Sequence, residues 1–145
     1  MLGLEKEEVR AKVRSFLDKI GVKVVLWDRE GDRFVLPYDI MGRDVMVYVA
    51  FMEEYRWVVV VAYIYDLREL PDHVDREAFY KRLLTENFLR YANRYGVDWE
   101  GHLVALFEMR SEDLEFENFR TGYEGVLNTV VSFIEEVARE FNIPV

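Results

Sequence analysis

Two neighbouring apolar segments constrain the fold of this chain more than any other feature. Residues 45–52 are all apolar or aromatic, a charged segment follows at 53–56, and residues 57–65 are again apolar or aromatic. Strands of an antiparallel sheet with one face in water alternate apolar and polar residues, and these segments do not alternate. The pattern therefore predicts a central hairpin that needs cover on both faces, from the chain's own helices on one side and from more helices or a partner on the other.

Side-chain alternation divides this hairpin into two faces of different chemistry. The simplest register pairs Met52 with Trp57 across the loop, whereas an odd loop length would exchange the two sets on one strand. One face is then aliphatic and is predicted to be core. Its members are Val45, Val47, Val49, Phe51, Val58, Val60, Ala62 and Ile64.

The second face of the hairpin is rich in methionine and aromatic residues, which are enriched at the centres of protein interfaces. It comprises Met46, Tyr48, Ala50, Met52, Trp57, Val59, Val61, Tyr63 and Tyr65. We predict that Tyr48, Met52, Trp57 and Tyr63 contact a partner. The alternative is that the helices cover both faces of the sheet, and the sequence leaves that alternative open.

Apolar periodicity and turn residues predict the order of the remaining elements. Gly21 indicates the end of a first helix, and Asp75 is a plausible N-cap for a second one. The predicted helices cover 5–20, 75–94 and 121–141, the strands cover 22–27, 34–38, 45–52, 57–65, 96–99 and 102–109, and an acidic connector covers 111–118. This order, α-β-β-β-β-α-β-β-α, predicts one α+β domain over residues 1–145, with an antiparallel sheet flanked by three helices.

The predicted middle helix carries a conspicuous aromatic stripe. Tyr80, Leu84, Phe88, Tyr91 and Tyr95 recur every three or four residues, and Phe79 and Leu83 widen the stripe. The spacing predicts that this face of the helix is apolar. If the hairpin proves to be ordinary core, Tyr91 and Tyr95 are the next candidates for a partner contact.

Composition excludes several classes of function. A net charge of −9 without a compensating basic patch argues against nucleic acid as a partner. No apolar run approaches the roughly 20 residues that span a bilayer, and the first residues lack a signal-peptide core, so we expect a cytoplasmic protein without a membrane partner. The absence of Gln and Cys beside abundant Glu and Arg is typical of thermophilic proteins.

Candidate catalytic and metal-binding residues are sparse. The two histidines, His73 and His102, lie far apart in the sequence, and Ser15, Ser111 and Ser132 lack the context of an activated nucleophile. We therefore expect no enzymatic activity, metal or cofactor. The acidic segment 112–117 lacks the Gly and closing Glu of an EF-hand loop, and whether it holds a weak cation site stays open.

The second half of the chain resembles the YbjN and type III secretion chaperone-like family. The family pattern has a helix ending in a Leu-Leu-x-x-Asn-like motif, a hairpin with an acidic glycine turn, an apolar strand, an acidic connector and a final helix. The matching positions are Asn87, Asp98, Gly101, Leu103 and Leu106. Residues 75–138 carry the match, whereas the first half agrees only in element order and has up to four strands where the family commonly has three.

The resemblance implies a protein-binding domain without enzymatic activity that often forms dimers. Our first hypothesis is therefore a chaperone- or adaptor-like module that binds a protein of unknown identity through an apolar sheet or helix surface, as a homodimer. The alternative is a small-ligand-binding or hydrolytic domain with a pocket between the sheet and the helices. A flat exposed apolar surface favours the first hypothesis, and a closed pocket with converging carboxylates favours the second.

Overall fold

Residues 5–145, which the computed structural model describes, form one six-stranded antiparallel sheet with helices packed on it. The predicted element order and the α+β class are confirmed. The strands are β1 Leu26–Asp28, β2 Arg33–Ile40, β3 Arg43–Met52, β4 Trp57–Asp66, β5 Arg94–Val97 and β6 His102–Arg110. The helices are α1 Lys6–Ile20, α2 Arg76–Leu89 and α3 Phe116–Ser132, and α3 continues through a π-helical turn at Phe133–Val137 into Ala138–Glu140.

The central hairpin adopts the predicted register. Met52 pairs with Trp57, and Val49 pairs with Val60, so the two faces separate as alternation requires. The turn between β3 and β4 is unusual because Glu53, Glu54 and Tyr55 all have positive φ angles of 52°, 55° and 67°. The Tyr55 side chain is buried and its carbonyl accepts a hydrogen bond from the Ser111 hydroxyl, and both contacts hold the turn in place.

All eight residues of the aliphatic face are buried, as predicted. Helix α3 packs across β4 and β6 on this side, and α1 packs on α3, where the Phe16 ring lies 5.5 Å from Phe116 and 5.7 Å from Phe119 between centroids. The residues of the opposite face from Met46 to Tyr63 stay exposed or partly exposed within the described chain. The predicted place of Tyr65 on that face is wrong, because the bulge between Tyr63 and Tyr65 turns its ring to the helical side, 6.3 Å from the Phe133 ring. The alternative in which the helices cover both faces is therefore wrong for residues 5–145.

The sheet order is β1-β2-β3-β4-β6-β5. Strand β1 is shorter than the predicted strand at 22–27, because the Val22 N–H still bonds the Leu17 carbonyl as part of the α1 C-terminus. Gly21 accommodates this bend with a φ of 93°. Strand β1 pairs only with residues 33–35, so the rest of β2, which includes Pro37, forms one edge of the sheet.

Helix α2 ends at Leu89, and the predicted extension to Arg94 is wrong. The Asn87 side chain accepts a hydrogen bond from the Tyr95 N–H at 2.8 Å and donates one to the Tyr95 carbonyl at 3.2 Å. These bonds fix the chain in strand β5 immediately after the helix, with Ala92 at a φ of 70° in the connection. The Tyr95 N–H therefore bonds the Asn87 side chain and not the Tyr91 carbonyl, as it would in a longer helix.

Helix α3 begins at Phe116, five residues before the predicted start at 121, so most of the acidic connector is structured. A short 3₁₀ turn covers Ser111–Asp113, and only residues 114 and 115 separate it from the helix. The Phe116 ring packs against Phe16 of α1. This long-range contact helps to place the helix start, and local sequence does not reveal it.

Candidate partner-binding surface

The face of the sheet opposite the helices is an apolar surface, which we call the open face. Its central residues come from β3, β4 and β6, because alternate side chains of each strand point away from the helices. Met52 is 52% exposed and Trp57 is 37% exposed, whereas Tyr48 and Tyr63 are partly buried by their neighbours. The four predicted contact residues therefore share one face, and each is less buried than the core valines of the same strands.

Contacts with aromatic rings and with a guanidinium hold the tyrosine side chains of the open face in place. The rings of Tyr48 and Tyr63 meet edge to face with centroids 5.6 Å apart, and Tyr63 in turn meets the His102 ring at 5.5 Å. The Arg33 guanidinium lies 4.0 Å from the centre of the Tyr48 ring. Burial, followed by the nearby carboxylate of Asp98, raises the pKa of Tyr63 above its usual value.

A shallow groove of about 510 Å³ runs along the open face between β3 and β6. It is lined by Ala50, Met52, Glu53, Trp57, Val59, Val61, Leu106 and Glu108. The Glu108 carboxylate is held by Arg94 at 2.8 Å. The groove therefore lies on the outer surface of the sheet, not between the sheet and the helices where the ligand-binding alternative places a pocket.

A polar turn lies beside the Tyr63 end of the open face. One carboxylate oxygen of Asp98 accepts the backbone N–H groups of Glu100 and His102 at 2.9 and 2.8 Å, and the other lies 3.1 Å from His102 Nδ1. Burial alone would raise the pKa of Asp98, but the hydrogen bonds from His102 and Glu100 outweigh it and lower the pKa.

The same three residues are the only group of potential metal ligands found among residues 5–145, with ligand atoms within 4.8 Å of one another. Sequence reasoning treated His102 as an isolated surface histidine. It missed that the turn brings three alternate residues, 98, 100 and 102, together. In the acidic segment 112–117, by contrast, Glu112 and Glu117 form ion pairs with Arg110 and Arg120 at 2.7 and 2.6 Å.

A second apolar surface, which we call the α2 edge, is formed by Leu84, Phe88, Leu89 and Tyr91. Phe88 is 87% exposed and Tyr91 is 91% exposed, whereas Phe79 and Leu83 hold the helix against the core. The periodicity therefore identified an apolar stripe, but part of that stripe faces outward.

Tyr95 does not belong to the α2 edge. Its predicted place on the helix is wrong, because it lies in β5 and is only 5% exposed. Its ring lies 6.4 Å from Phe133 in the core, so its side chain does not present a surface to a partner.

Three solved structures resemble this chain over most of its length. The crystal structure of the ExsC–ExsE complex matches with a TM-score of 0.64 and 16% identity, covering 90% of this chain and 94% of the matched one. The HopA1–SchA chaperone–effector complex matches at 0.61 and 11%, covering 89% and 96%. The Yersinia pestis type III secretion chaperone SycH, in complex with a stable fragment of YscM2, matches at 0.58 and 11%, covering 86% and 98%. The chain has the fold of type III secretion chaperones.

Because the sequence identities are low, this likeness establishes the fold and nothing beyond it. No family model matches the sequence, and no curated protein matches it. None of the helices in residues 5–145 combines the length and hydrophobicity that a bilayer crossing requires. A fold of this kind does not by itself assign a function.

Proposed function

We propose that this chain is a chaperone-like module without enzymatic activity that binds a protein partner through the open face. The observation that carries the proposal is the continuous apolar face of β3, β4 and β6, which the described helices leave uncovered. Contiguous exposed apolar surface marks an interaction site in soluble domains, and Met, Trp and Tyr are the residue types that dominate such sites. The HopA1–SchA complex and the SycH complex with a fragment of YscM2, which share this fold, support a protein as the partner.

The proposal includes a homodimer formed through the α2 edge. Four large apolar side chains in the last two turns of α2 and just after it are more than half exposed. A two-fold axis next to this helix would bring the patch against its own copy, which is the closed geometry most homodimers use. The open face would then remain available for a different protein.

Site-specific photo-crosslinking tests the partner-binding proposal. In cells of the organism from which the chain comes, a photoreactive phenylalanine analogue at position 52 is expected to crosslink to a protein partner. The same group at position 135, an exposed position on the helical side, is expected to crosslink to none. Binding of the captured protein should then weaken by about 2 kcal/mol or more in Trp57→Ala. Trp99→Ala is the matched control, because Trp99 is fully exposed in the turn after β5.

Two results would count against this assignment. One is equal capture at positions 52 and 135. The other is a monomeric wild type in which Trp57→Ala unfolds the chain, because Trp57 would then be ordinary core.

The mass in solution tests the homodimer separately. We expect light scattering after gel filtration to give twice the chain mass for the wild type and the single mass for Phe88→Glu, since a buried unpaired carboxylate is costly. Met52→Glu is the control and should stay dimeric. If Met52→Glu dissociates the protein and Phe88→Glu does not, the open face rather than the α2 edge joins the two copies.

A further inference from the structure

We propose that the open face selects an apolar segment of the partner protein that carries lysine or arginine residues at its ends. This inference rests on the proposed function and adds the chemistry of the segment that is bound. It follows from the length of the apolar stripe and from the charges that lie at its two ends.

The apolar stripe has a defined length. Along β4 it extends from Trp57 to Tyr63, which at the rise of an antiparallel strand is about 20 Å. About six extended residues, or about 13 residues of helix, cover that distance. The bound segment is therefore short, and its flanking residues lie over the two ends of the stripe.

Uncompensated carboxylates lie at the Tyr63 end. Asp39 and Asp44 are directly paired across β2 and β3, both are exposed, and neither forms an ion pair within the described chain. Like charges placed directly opposite each other destabilise a sheet. The neighbouring Arg43 offsets at most one of the two charges, and its guanidinium donates to the Ile64 carbonyl and not to either carboxylate. This end of the open face therefore favours a cation.

The opposite end is acidic as well. Glu53 and Glu54 occupy the β3–β4 turn, Glu53 lines the groove, and neither carboxylate has an ion-pair partner among residues 5–145. Arg56, in the same turn, donates to the Glu53 carbonyl and offsets one of the two charges. The turn therefore retains a net negative charge.

The sides of the stripe, in contrast, are electrically balanced. Arg33 pairs with Asp28 at 3.0 Å on one side, and Arg94 pairs with Glu108 at 2.8 Å on the other. The free charge of the open face is therefore negative and concentrated at its two ends. A segment that is apolar in the middle and basic at both ends complements this pattern.

The same charges disfavour other occupants. A second copy of this face would bring acidic ends against acidic ends, and an anionic membrane surface or a nucleic acid would be repelled by them. The net charge of −9 adds a long-range attraction for basic segments.

Selection from an unbiased library of displayed peptides tests the proposal. Peptides retained by the wild type but not by Met52→Glu are expected to have an apolar centre with Lys or Arg on both flanks. Retained peptides with neutral or acidic flanks would overturn the basic-segment proposal and leave the proposed function standing. If no peptide distinguishes the wild type from Met52→Glu, the open face is not a binding surface, and the proposed function fails with it.

Charge-neutralising variants give the quantitative test with a selected peptide. The double variant Asp39→Asn, Asp44→Asn should weaken binding about fivefold and reduce its dependence on salt, since exposed ion pairs are weak and are screened by salt. The control is Glu135→Gln, Glu136→Gln, which removes the same charge from the helical side. Equal weakening by the two double variants would show that only net charge matters, and would overturn the placement of the basic flanks.

Discussion

Trp57 and Ile64 lie on the same strand but point to opposite faces of the sheet. Ile64 is 2% exposed and belongs to the buried core, whereas Trp57 keeps more than a third of its surface in solvent. Truncating Ile64→Ala is expected to lower the free energy of unfolding by about 2–5 kcal/mol, because it removes buried methyl groups and leaves a cavity. Urea denaturation measures this, with Trp57→Ala as the comparison. A loss well under 1 kcal/mol for Ile64→Ala would contradict the assigned faces.

The buried Tyr95 is expected to make the free energy of unfolding fall with rising pH in the alkaline range. Burial raises its pKa to about 12, above the value near 10 that an unfolded tyrosine has. The folded state therefore keeps its proton to higher pH, so the stabilisation is complete below pH 10 and is lost as pH rises through about 12. At pH 11 the loss from this group is about 1.4 kcal/mol relative to pH 8.

Tyr95→Phe should flatten that dependence in urea titrations at the two pH values. The hydroxyl of Tyr95 has no hydrogen-bond partner within the described residues, so its removal is expected to cost little at neutral pH. Tyr91→Phe provides the control, since Tyr91 is almost fully exposed. An unchanged alkaline loss in Tyr95→Phe would assign the effect to other groups, among them Tyr123, whose pKa burial also raises.

The junction between α2 and β5 depends on one side chain. Asn87 satisfies both backbone groups of Tyr95, and Asn87→Ala would leave them without these partners. We expect a loss of about 1–3 kcal/mol in unfolding free energy and faster hydrogen exchange at the Tyr95 amide. Asn87→Asp, which keeps the acceptor for that amide, should slow the exchange again. Identical exchange in all three proteins would show that the junction is held by other contacts.

Elements that local sequence determines could be predicted, whereas element ends that depend on tertiary contacts could not. The β3–β4 hairpin was predictable because aliphatic residues alternate with Met, Ala and aromatic residues along Val45–Met52, and the simplest loop gives the register that keeps these two sets apart. Helix α2 was extended too far because Tyr91 and Tyr95 continue its 3.6-residue period, whereas the bonds between Asn87 and Tyr95 in β5 belong to no periodic pattern. The start of α3 at Phe116 likewise depends on a contact with α1 that no local pattern contains.

The assembled protein should show stability that depends on its concentration. If two copies join through the α2 edge, dissociation accompanies unfolding and the melting temperature rises with protein concentration. Calorimetry over roughly a hundredfold concentration range measures this. Phe88→Glu is expected to abolish the dependence, and Met52→Glu is expected to retain it. A constant melting temperature in the wild type would contradict a dimer that stabilises the fold.

The arrangement of helices on one face was not predictable. Three amphipathic helices are enough to cover either one face or parts of both, and composition does not distinguish the two arrangements. The contacts of α1 with α3 show why one face stays bare: α1 stacks on another helix instead of on the sheet's second side. The four open-face residues could therefore be named from alternation, but their exposure required the three-dimensional packing.

The edge of β2 has a consequence for solubility. Unpaired edge strands recruit strands from other chains and lead to aggregates. Beyond the three residues that β1 covers, the edge contains Pro37, which has no backbone N–H to offer an incoming strand. The chain thereby limits growth of its sheet through backbone pairing while it leaves a wide apolar face uncovered. Association is directed to side chains, where it can be selective, and away from the backbone, where it would not be.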